Sequence, residues 1–92
     1  MADIKLKNSM KKKIDGVEYT FQRLPVRQAL EMKSRWMSGA DVNEIAMYDE
    51  LFEHVVVAPK VVLDDFATVG EADAVAMEAL VFQFPELGKS DK

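Results

Sequence analysis

The sequence predicts an α+β domain, mostly helical, in which an N-terminal β-hairpin packs on about three helices. Three observations carry that expectation: an Asp-Gly pair between two alternating stretches near the start, prolines and glycines that break the rest into blocks, and apolar residues at helical spacing within those blocks. A single domain over residues 1–85 accounts for all three blocks, with 86–92 expected as a mobile tail. At 92 residues the chain has room for one domain, which buries roughly 60–65% of the surface it exposes when unfolded.

The hairpin comes first. Asp15-Gly16 is the residue pair that a two-residue turn between antiparallel strands requires. If Ile14 opposes Val17, then Lys12 opposes Tyr19 and Met10 opposes Phe21. That register gathers Met10, Ile14, Val17, Tyr19 and Phe21 on one face and sets Lys13 across from Glu18. Two strands are marginal alone, so helices must cover the apolar face.

Leu24-Pro25 ends the second strand and suits the first turn of a helix. Val26, Ala29, Leu30, Trp36 and Met37 keep helical spacing, and Gly39 is placed to follow the helix end, which predicts a first helix over 26–38. Asp41 with Glu44 forms a capping-box pattern, and a stripe running from Val42 through Ile45, Tyr48 and Phe52 to Val56 predicts a second helix over 42–56. Ala58-Pro59 breaks it. The segment from Lys60 to Phe66 fits extended chain or one short helical turn. Thr68 with Glu71 repeats the capping pattern, and Ala72, Val75, Ala76, Ala79 and Leu80 predict a third helix over 70–84, stopped by Pro85.

Composition narrows the function classes. There is no cysteine, so neither disulfides nor thiolate metal ligands are available, and a reducing compartment is expected. The N-terminus lacks the apolar core of a secretory signal, and the apolar run Val55 to Pro59 is far short of the ~20 residues that cross a bilayer. Net charge is −4, unevenly divided: residues 1–36 hold nine Lys or Arg against four acids, and residues 37–92 hold three against twelve. Such a charge dipole suits self-association in which a basic end meets the acidic end of a neighbour.

No enzymatic constellation is visible. His54 is the sole histidine, on the polar side of the second helix with Glu50 and Glu53, and it has no second imidazole or thiolate to complete a ligand set. Asp49, Glu50, Glu53 and the pair Asp64-Asp65 lack the ladder of a calcium loop and read as a solvated helix face. Gly88-Lys89-Ser90 resembles the end of a phosphate loop, but position 83 is glutamine where that loop needs glycine. No Gly-x-Ser-x-Gly nucleophile motif occurs. Cofactors and metals are therefore not expected. Lys11, Lys12 and Lys13, with Arg23, Arg27, Lys33 and Arg35, are the basis for a rival reading as a compact DNA-binding regulator, set against an acidic molecule with no known DNA-binding motif. Of the methionines, Met10, Met32, Met37 and Met47 fall on or beside apolar faces as core filler, with Met32 and Met47 the best candidates for exposure.

Three stretches together resemble the small tail assembly chaperones of long-tailed bacteriophages and of phage-like elements of Gram-positive bacteria: Lys13 to Phe21 (KIDGVEYTF), Pro25 to Leu30 (PVRQAL) and Val55 to Phe66 (VVVAPKVVLDDF). The order of elements is similar too. The resemblance covers roughly residues 13–66. It implies a non-enzymatic protein of the host cytoplasm, absent from the mature virion, that binds the phage tape-measure protein, keeps it soluble and helps recruit the tail-tube protein. A head-to-tail adaptor is the alternative of the same origin. Because Val55 to Phe66 holds more apolar side chains than a short connection needs to bury, Val55, Val56, Val57, Val61, Val62, Leu63 and Phe66 are the candidate partner-binding residues. The resemblance also implies a longer product made by ribosomal slippage near the end of the frame, and Leu87-Gly88-Lys89 can be written with the slippery heptamer G-GGA-AAG, a leucine codon ending in G followed by GGA and AAG.

Overall fold

The computed structural model describes residues 8–88 and shows a two-layer α+β domain, a small sheet covered by three helices. Strands β1 (Ser9–Ile14) and β2 (Val17–Gln22) form the hairpin in the expected register, with Ile14 opposite Val17, Lys12 opposite Tyr19 and Met10 opposite Phe21. Asp15 and Gly16 both have positive φ, 51° and 83°, the backbone that a tight turn matching the strand twist demands. The inner face is graded. Phe21 and Tyr19 are buried, Met10 and Ile14 half-buried, and Val17 at the tip is 42% exposed.

Helix α1 (Val26–Trp36) follows Pro25, whose carbonyl accepts from the Ala29 N–H. It ends two residues before the expected boundary. Met37–Ser38 (β3) and Asp41–Val42 (β4) form a second, minimal hairpin, and Gly39 (φ 63°) begins its two-residue turn rather than capping the helix. Asp41 is therefore in a strand. The N-cap of α2 (Glu44–His54) is Asn43, whose Oδ1 accepts from the Ala46 N–H at 3.1 Å.

The valine run turns out to be sheet. Val56–Ala58 forms β5, antiparallel to β2 and pairing Val56 with Phe21 and Ala58 with Thr20 across an irregularity, so the sheet order is β1-β2-β5. Beyond the cis Ala58-Pro59 bond the chain runs outside helix and strand to Val62, whose backbone is extended, and Leu63–Asp65 makes one 3-10 turn. Helix α3 (Val69–Gln83) starts at Thr68, whose Oγ1 accepts from the Glu71 N–H, and is followed by a further 3-10 turn, Pro85–Gly88, which spans the expected boundary between domain and tail. Residues 89–92 of the expected tail lie outside the described residues.

Helix α1 packs on α2, α2 on α3, and α3 lies against β2. Phe21, Met32, Leu51, Phe52, Val55 and Val56 are the largest wholly enclosed side chains, and Val75 joins them from α3. Two helical faces are rotated from the expected ones. The buried side of α1 is Ala29, Met32 and Trp36, which leaves Val26 and Leu30 outside at 76% and 56% exposure. The buried side of α2 is Met47, Tyr48, Leu51 and Phe52, so Ile45 in its first turn faces solvent and Val42 is exposed in β4. Met32 and Met47, the methionines named as best candidates for exposure, are core filler. In both helices apolar positions outnumber one face, and the packing against a neighbouring helix selects which are enclosed.

Candidate partner-binding surface

The candidate residues 55–66 divide along the chain. Val55 and Val56 are fully buried and belong to the core: Val55 caps α2, donating its N–H to Leu51 O, and Val56 is paired in the sheet. They offer nothing to a partner. Val57, Val61, Leu63 and Phe66 are half-buried, and Val62 stands out at 60% exposure. The surface is therefore a ridge formed by Val61 to Phe66.

Local chemistry holds that ridge in place. The Val62 carbonyl accepts from the Asp65 N–H, and the Asp65 carboxylate accepts from the Val62 N–H at 2.9 Å, which closes the 3-10 turn from both ends. Phe66 turns its ring inward to Phe52, with centroids 5.4 Å apart. Lys60 anchors the approach. Its ammonium donates to the carbonyls of Glu53 (2.7 Å), Val56 (3.1 Å) and Phe52 (3.4 Å). The last carbonyls of a helix have no partner within the helix and carry the negative end of its dipole, so a lysine there ties the connection to α2. Sequence patterning offers no sign of this role, which rests on the path from α2 through β5 bringing Lys60 back to the end of the helix.

Two clefts flank the ridge. One, of about 410 Å³, lies toward α2 between Asp49, Phe52, Glu53, Val61, Val62 and Asp65. The other, of about 240 Å³, lies toward the hairpin tip and α3, where Ile14, Val17 and Tyr19 meet Val61, Phe66 and Val75. Val61 and Asp65 line both. The hairpin tip and the valine segment, more than forty residues apart in sequence, thus line one cleft, a juxtaposition that β2–β5 pairing creates.

Electrostatics around the surface are acidic. Burial pushes the Tyr19 phenol pKa above its ordinary value, and the nearby charges of Asp15, Glu71 and Asp65 push it the same way. Glu71 Oε1 accepts from the Ala67 N–H at 3.0 Å, beside the N-terminus of α3. Elsewhere, several basic residues of the N-terminal half are engaged within the molecule. Lys12 Nζ reaches Glu78 at 3.0 Å, and Lys33 lies over the Phe84 ring at 5.7 Å. Arg23 donates to Phe82 O at 3.0 Å and stacks on the Phe82 ring at 4.2 Å. Arg35 pairs with Glu50 at 2.9 Å, and the hydrogen bond to that carboxylate raises the guanidinium pKa further. His54 contributes its Nε2 to the same carboxylate at 3.3 Å. The fold thus neutralises part of the charge dipole internally.

Tyr48 and Gln83 are polar groups that the sequence reading passed over. The Tyr48 hydroxyl donates to Asp73 Oδ1 at 2.6 Å, and that bond, with burial and the Asp73 charge behind it, pushes the phenol pKa up to about 12. Buried Gln83 pairs with the backbone of Leu24 in both directions, accepting its N–H at 2.6 Å and donating to its carbonyl at 3.2 Å. Among the described residues no group of three or more His, Cys, Asp or Glu is placed to hold a metal ion, and no helix is long and apolar enough to cross a membrane. Compared with family models, with curated proteins and with solved structures, the chain gives no match.

Proposed function

We propose that this chain is a phage tail assembly chaperone, a non-catalytic protein that binds the tape-measure protein in the host cytoplasm, keeps it soluble and helps recruit tail-tube subunits. The single observation behind the reading is the ridge Val61 to Phe66. It is the latter half of the third stretch that resembles those chaperones, and it keeps Val62 60% exposed between two partly apolar clefts. An exposed apolar surface of this kind suits capture of the apolar face of a helical polypeptide before that face finds its final packing.

Co-expression tests it. The chaperone reading places this gene directly beside that of a very long helical protein, which should be insoluble alone and soluble with the wild-type chain. Val62→Lys should abolish the rescue while the variant keeps its far-UV circular dichroism and melting temperature. Undiminished rescue by a folded Val62→Lys variant would remove the ridge from the binding surface. A neighbouring gene for a short globular protein, with no tape-measure gene near it, would remove the chaperone reading altogether.

A further inference from the structure

We infer that the ridge and its two clefts take a cationic amphipathic helix, whose apolar side chains enter the clefts while its Lys or Arg residues face the surrounding carboxylates. This rests on the chaperone reading only for the identity of the protein that carries the helix.

The charge of the lining is lopsided. Across the two clefts the acidic residues are Asp15, Asp49, Glu53, Asp65 and Glu71, and among the described residues the only basic one is Lys60. Lys60 is turned onto three backbone carbonyls and is unavailable to a ligand carboxylate without giving them up. Asp65 and Glu71 accept hydrogen bonds from the backbone N–H groups of Val62 and Ala67, which fix the two side chains in place. A negatively charged concavity with low-dielectric walls attracts cations and repels anions.

Apolar side chains line both clefts beside the acids, Phe52 and Val62 in one and Ile14, Val17 and Phe66 in the other. A helix presents apolar side chains three and four residues apart, with Cβ atoms ≈ 5–6 Å from each other, which suits two adjacent clefts sharing one wall. Strand addition is disfavoured beside it. β5 is three residues long and is followed by Pro59, which has no N–H to donate.

The probes are two synthetic amphipathic peptides of roughly 18 residues, long enough to be helical, with the same leucine positions and either lysine or glutamate at the polar ones. Titration calorimetry against the full chain should show the lysine peptide binding at least about tenfold more tightly than its glutamate counterpart, a difference that salt erodes as the Debye length falls from ~10 Å at 0.1 M to ~3 Å at 1 M. Asp49→Lys with Glu53→Lys should cancel or invert the preference. These two sites are on α2, and a lysine near its C-terminus is compatible with the helix dipole, so the double variant should retain its fold. Equal affinity for the two peptides, a preference untouched by the double substitution, or no binding of either would overturn the inference. Co-expression separates it from the chaperone reading: tape-measure rescue that survives the double substitution defeats the inference alone, and peptide preference without any rescue defeats the chaperone reading alone.

Discussion

Replacing Gln83 by methionine isolates one polar contact that ties the end of α3 to the end of β2. The side chain keeps its length and volume, so no cavity opens, but both hydrogen bonds to Leu24 are lost. A backbone group left without a partner in a buried site costs about 1–3 kcal/mol. Leu24 is half-buried, so water reaches part of it, and the low end applies to each of its two groups. The sum is about 2 kcal/mol. For a domain of this size each kcal/mol moves the melting temperature by about 4–8 °C, which predicts a fall of about 8–16 °C. Urea unfolding followed by circular dichroism should show a lower midpoint at unchanged slope, and hydrogen exchange should find the Leu24 amide selectively deprotected. A loss below about 0.5 kcal/mol, the level of an ordinary surface substitution, would refute the reasoning, as would unchanged protection of the Leu24 amide.

Three further outcomes are expected. Val56→Lys places an unpaired charge in the core at a wholly enclosed position and should unfold the chain, whereas Val62→Lys should stay within about 0.5 kcal/mol of wild type, both read by thermal melts. The Tyr48 phenol has its folded pKa raised to about 12 from an ordinary 10, so its contribution to stability is complete below pH 10 and is lost as pH rises from there through 12; Tyr48→Phe should flatten that alkaline limb of a stability–pH profile. At the nucleic-acid level, slippage requires Gly88-Lys89 to be written GGA-AAG after a codon ending in G, with the −1 frame open beyond it; other codons or an immediate stop in that frame would exclude a longer product from this site.

Local patterns carried the parts of this fold that depend on neighbouring residues. Asp15-Gly16 dictates the turn, and the turn dictates the register of the six residue pairs beside it, because a two-residue loop leaves no freedom to slip. Thr68 with Glu71, and the apolar stripe from Ala72 to Ala79, located α3 to within a residue at each end. The errors arose where several local solutions compete. Gly39 suits a helix end and a hairpin turn equally well, and Asp41 or Asn43 could each cap α2; the pairing of Met37 with Val42 settles both. Val26, Leu30 and Ile45 fit a helical stripe as well as their buried neighbours do, and the choice of face rests on contacts with other helices.

The candidate surface shows the same division. An excess of apolar side chains over residues 55–66 was legible as composition, since a short connection cannot bury them all within itself. Which of them are enclosed was not. Val55 is enclosed at the end of α2, where its carbonyl accepts from the Gln22 N–H, and Val56 faces the core because β5 pairs with β2, a contact between segments more than thirty residues apart; the same pairing brings the hairpin tip beside Val61 and Phe66. Gln83 and Tyr48 acquire their partners by similar long-range meetings, and their own neighbours in sequence carry no trace of them. Turn chemistry and helix caps are short-range and can be read from a few residues; burial and hydrogen-bond partnership are properties of surfaces that exist only after distant segments have met.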